Sequence, residues 1–115
     1  MVTNCCIRTT LPCLALGLVL ASVPASSSLA LTNAEANKAS DEQLRFYIEG
    51  IVDMAAVKAN AKGRTNTSNC IANTFYGADG DKLIDTLVKS LKSPLSADKS
   101  PAWKVAYTLD RKCGA

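Results

Sequence analysis

Histidine is absent from all 115 residues. That excludes a Ser-His-Asp or Cys-His catalytic set and any His-ligated zinc site. It also removes the usual general base for chemistry near neutral pH. Strand-like alternation of apolar and polar residues is missing as well, which argues against a sheet. There is no strong excess of one charge: 13 basic residues face 10 acidic ones. A nucleic-acid binder concentrates far more positive charge than this, so no nucleic-acid partner is expected. Length excludes two folded domains or a repeat array. With 48% apolar and 20% charged residues the composition is that of an ordinary globule.

Residues 1–30 read as a cleaved secretory signal. Arg8 is their one charge, and an apolar run of about 13 residues follows from Leu11 to Val23, short of the roughly 20 that span a bilayer. Ser28-Leu29-Ala30 is a small-x-small cleavage site, and Thr32-Asn33-Ala34 is a second one. The expected product is one domain over 31–115, periplasmic and not membrane-bound after cleavage. A domain that small has a thin core and gains from a staple.

Cysteine is the available staple. Of the five cysteines, Cys5, Cys6 and Cys13 leave with the signal, while Cys70 and Cys113 remain. An even pair in an oxidising compartment predicts a Cys70–Cys113 disulfide. The alternative is two free thiols.

Three segments carry helical periodicity. The first runs from about Asn33 to Asn60, with Leu44, Tyr47, Ile48, Ile51, Val52 and Ala55 on one face. Its Ala-rich start, Asn33 to Ser40, reads as a frayed lead-in, with Ser40 or Asp41 capping the true start. Ala61 to Asn69 has no apolar anchor and reads as a loop. Cys70 to Gly80 fits a short helix or strand. The second clear helix spans about Asp79 to Lys92, its stripe formed by Leu83, Ile84, Leu87, Val88 and Leu91. The third opens at Ser100-Pro101, a serine cap with proline at the first helical position. Its core face holds Ala102, Val105, Ala106, Leu109 and Cys113, with Trp103 and Tyr107 in a neighbouring stripe. An all-α bundle of three to four helices, stapled by one disulfide, follows.

No residue pattern calls for a metal, a cofactor or a catalytic role. Asp79-Gly80-Asp81 with Asp85 resembles part of a calcium loop but lacks the remaining oxygen ligands and closing glutamate. It reads as a capped helix start. Glu49 and Asp53 lie one turn apart and read as a solvated face or a polar dimer contact, not a glycosidase pair. Gly50, inside a strong helix, suggests close approach of another helix. Trp103 and Tyr107 read first as core, and second as an exposed anchor for a partner.

Taken in order, these features resemble the Rap/Tai family of type VI secretion immunity proteins. The resemblance rests on Tyr47-Ile48-Glu49-Gly50-Ile51-Val52-Asp53-Met54-Ala55, on Cys70-Ile71, on Lys82-Leu83-Ile84-Asp85-Thr86-Leu87-Val88-Lys89-Ser90-Leu91, on Pro101-Ala102 and on Cys113. Its motif positions include Tyr47, Ile48, Gly50, Asp53, Leu83 and Asp85. The chain departs from the family between Ala72 and Gly80, and at Phe46, where members often carry a cysteine.

The resemblance implies a non-enzymatic, exported helical protein, a homodimer, that binds and blocks a cognate peptidoglycan amidase effector. It also implies that a loop between helices reaches the toxin. Two stretches qualify: Ser93 to Ser100, with Ser93, Leu95, Asp98 and Lys99, and Ala61 to Asn69. A periplasmic helical chaperone or stress protein is the first alternative; it would bind many clients where an immunity protein binds one. A lipid- or ligand-binding module is the second, and it would show a cavity between helices.

Overall fold

Five α-helices and one 3-10 turn make up residues 30–115, the part described by the computed structural model, and no strand occurs among them. The signal reading, with Cys5, Cys6 and Cys13, lies outside the described residues. The all-α architecture agrees with the sequence expectation.

The first expected helix is in fact two. Helix α1 covers Asn33–Lys38 and helix α2 covers Asp41–Ala61. Ala39 and Ser40 between them are extended, with ψ of 149° and 160°. Each start is a reciprocal capping box. Thr32 Oγ1 accepts the Glu35 N–H and Ser40 Oγ that of Gln43, while Glu35 and Gln43 reach back to the cap N–H groups. Two orphan donors are satisfied at each start, which offsets the backbone bonds lost where the helix breaks at Ala39–Ser40. The lead-in is therefore not frayed: Ala36 is fully buried.

The expected loop from Ala61 to Asn69 is also corrected. Only residues 62–64 turn, with Gly63 at φ 72°, a left-handed conformation that favours glycine. Helix α3 covers Thr65–Tyr76, so Thr65 to Asn69 are helical. Those residues are polar because α3 buries mainly its far end, at Ile71 and Phe75. Helix α4 covers Gly80–Leu91, η1 covers Pro94–Ser96 and α5 covers Pro101–Cys113. Ser100 caps α5 by accepting the Trp103 N–H, as its Ser-Pro start predicts. Asp79 stands at the α4 cap position without capping it; its carboxylate pairs with Lys82 instead.

One core joins the helices. Leu44, Ile48 and Val52 of α2 meet Ile71 and Phe75 of α3, Ile84, Leu87, Val88 and Leu91 of α4, and Val105 and Leu109 of α5. Each such side chain stabilises the fold by roughly 1.5–3 kcal/mol on burial. Across the surface, Arg45 pairs with Asp81 and Asp85, and Lys92 with Asp41. Exposed pairs contribute about 0–1 kcal/mol each, so the apolar stripe, not the ion pairs, sets α2 against α4.

Lys104 is the exception among the buried residues, only 6% exposed. Its Nζ donates to the Ser90 carbonyl at 3.3 Å and to Asn33 Oδ1 at 3.4 Å. The cation thus sits at the C-terminal end of α4, where the helix dipole favours positive charge. It joins α1, α4 and α5.

Candidate functional site

The connection from Ser93 to Ser100 is held in shape from both sides. Ser93 Oγ accepts the Leu95 N–H at 3.3 Å. The Asn33 side-chain amide donates to the carbonyls of Ala97, at 2.7 Å, and Lys99, at 3.0 Å. With its backbone pinned, the connection presents Leu95 at 95% exposure. Asp98 and Lys99 form a loose ion pair at 3.7 Å.

Lys99 also places its Nζ over the ring of Trp103, 5.4 Å from the centroid. Trp103 stacks on Tyr107 with centroids 4.9 Å apart and planes 11° from parallel. Both rings are about half exposed. The core reading of this pair is therefore wrong. The i, i+4 spacing puts the two rings on one face of α5, but Val105 and Leu109 define the face turned to the core. Through Lys99 the stacked pair adjoins the Ser93–Ser100 connection. Large aromatics such as these are the side chains that dominate protein interfaces.

A second feature lies between α2 and α5. An open groove of about 660 Å³ runs along the two helices. Phe46, Gly50 and Met54 form its outer row on α2, and Tyr47, Ile51 and Ala55 its inner row. On α5 it is bounded by Ala102, Ala106 and Leu109. The alanines and Gly50 are what leave the space open. Close helix approach was the expected reason for Gly50, and the structure overturns it: a Cβ built there meets nothing within 4 Å. Lys58, Lys62 and Arg64 line one end of the groove. The sequence signal for the groove was present, as small residues at helical spacing, but small residues signal contact as readily as a gap.

The other motif positions serve the fold. Ile48 is fully buried, and Leu83 is half-buried against the core. Asp85 pairs with Arg45. Asp53 accepts a hydrogen bond from the Tyr76 hydroxyl across α2 and α3, at 2.5 Å. Tyr76 is about half exposed, and partial desolvation of its hydroxyl, then this bond and the nearby Asp53 charge, raise the phenol above its ordinary pKa. Burial also raises Tyr47, whose hydroxyl has no hydrogen-bond partner among the described residues. Cys70 and Cys113 are joined, with Cα atoms 5.7 Å apart, tying α3 to the end of α5. Among the described residues no His/Cys/Asp/Glu group gathers as a metal site, and no helix is long and apolar enough to cross a membrane.

No family model, curated protein or solved structure matches the chain.

Proposed function

We propose that the chain is an exported binding protein of the immunity type, which neutralises a type VI secretion cell-wall amidase by docking the Ser93–Ser100 connection and the first turns of α5 against it. The observation that carries this reading is the exposed, stacked Trp103–Tyr107 pair, with Lys99 of the pinned connection over the Trp103 ring. A prearranged apolar tip loses little conformational freedom when it enters a partner's cleft. The other candidate stretch, Ala61 to Asn69, is mostly helical, not a loop between helices. The resemblance in Tyr47–Ala55, Lys82–Leu91 and the two cysteines supplies the partner class, and the periplasm as the place of action.

The test is co-expression with the product of the neighbouring gene, followed by an assay of peptidoglycan amidase activity. The expected result is one stoichiometric complex with suppressed activity. Trp103→Ala and Leu95→Asp should each weaken inhibition by about 2 kcal/mol or more, the range of interface hot spots. Both residues are exposed, so the fold should persist. Many weak partners, or inhibition indifferent to both changes, would refute the reading.

A further inference from the structure

We propose that the groove between α2 and α5 binds a single-chain anionic amphiphile of the fatty-acid class, with the acyl chain along the groove and the carboxylate at Lys58, Lys62 and Arg64. Trp103 and Tyr107 do not line this groove, although it shares the first turns of α5 with the proposed toxin-binding face, and the site does not rest on that reading.

Size and shape come first. A volume of about 660 Å³ falls within the range of small-molecule sites. From Phe46 to Lys62 the helical rise along its α2 wall is about 24 Å. That wall is apolar from Phe46 to Ala55, about 14 Å of the length, with Phe46 and Met54 at 65% and 70% exposure. Exposed apolar rows of this kind mark binding grooves.

Charge fixes the polarity of the occupant. The three cations cluster at one end, where the chain leaves α2; no acidic side chain lines the groove, and with the carboxylate of the lining residue Ala115 counted, that end still has a net positive charge. The nearest acidic residues on α2, Glu49 and Asp53, lie outside the lining, and Asp53 is engaged by Tyr76. Among the described residues Lys58 and Lys62 form no ion pair. Arg64 donates only a long bond, 3.4 Å, to the Gly114 carbonyl. An apolar trough with cations at one end complements a ligand that is apolar along its length and anionic at one tip.

The experiment is calorimetric titration of the oxidised protein, purified after export, with monomeric sodium palmitate. Hexadecanol and hexadecyltrimethylammonium serve as uncharged and cationic comparisons. Gly50→Leu should fill the groove while keeping the fold, because the Cβ has free space and leucine is a better helix former. Circular dichroism verifies that fold. Lys58→Gln with Lys62→Gln should weaken palmitate and leave hexadecanol unchanged. We expect one saturable site for palmitate, weakened about tenfold or more by Gly50→Leu. Equal binding of the cationic amphiphile, palmitate binding indifferent to Gly50→Leu, or no saturation would overturn the proposal. So would binding confined to phosphatidylglycerol vesicles. A dimer that Gly50→Leu dissociates, with no palmitate bound, would assign the groove to a second copy instead.

Discussion

The side-chain amide of Asn33, at the first residue of α1, donates to the carbonyl of Ala97 at 2.7 Å, across 64 positions of sequence. The same side chain accepts from Lys104, so one residue couples the start of the domain to the proposed docking loop and to α5. Asn33→Ala removes three hydrogen bonds and should cost about 1–3 kcal/mol, at about 1 kcal/mol or less for each. It should loosen residues 93–100 before it loosens the core. Hydrogen exchange reads this as lost protection confined to that segment; uniform loss of protection would contradict it. A chain beginning at Glu35, as cleavage after Ala34 would leave it, should show the same loosening, whereas one beginning at Leu31 should not.

The Cys70–Cys113 disulfide closes a separation of 43 residues. Restricting the unfolded chain over that distance is worth about 4 kcal/mol, a large part of the stability of a domain this size. Cys70→Ser with Cys113→Ser should lower the unfolding free energy, read from chemical melts, by that amount. The reduced native protein should behave like the double variant. A shift under 1 kcal/mol would mean that the reduced unfolded chain is already compact.

Two helical glycines should respond in opposite directions. Gly50 faces open groove, so Gly50→Ala should stabilise by about 1 kcal/mol through helix propensity alone. At Gly80 a Cβ would stand 2.0 Å from the Phe75 carbonyl oxygen. There α3 and α4 meet at close quarters, and Gly80→Ala should destabilise by about 1–3 kcal/mol, the usual cost of overpacking. Thermal melts of both variants decide the matter by the sign of each shift.

Removing the Tyr47 hydroxyl should cost nothing. The group is buried with no hydrogen-bond partner among the described residues. Tyr47→Phe is expected to leave stability unchanged or raise it by about 1 kcal/mol. A loss above that in a chemical melt would mean that the hydroxyl is satisfied in solution.

Alkaline pH should act through Tyr76. Its phenol is raised in the folded state, while the unfolded chain loses that proton near pH 10. The folded form therefore binds more protons there, and stability falls as pH rises above about 10. Tyr76→Phe should flatten that part of the pH profile relative to the native protein. Parallel profiles for the two proteins would show that Tyr76 contributes nothing to it.

Much of the bundle was legible in the sequence. The stripe Ile84, Leu87, Val88 and Leu91 repeats at helical spacing, and Ser100-Pro101 is a local start signal. The break at Ala39–Ser40 was legible too, in Thr32-x-x-Glu35 and Ser40-x-x-Gln43, but the continuous apolar periodicity of α2 masks it. The polar start of α3 was not, because helix there depends on Ile71 and Phe75 being buried further along.

The sequence by itself determined α4, α5, the Ser100 cap and the even cysteine pair, since each depends on residues within a turn or two of one another or on simple parity. Only the tertiary structure decided what Gly50, Trp103 and Tyr107 face. Whether a glycine marks a contact or a gap, and whether an aromatic stripe is core or surface, depends on which helix packs beside it. The alanines of α5 stand beside Gly50 across the groove and leave space, while Val105 and Leu109 turn α5 so that its aromatic pair meets water.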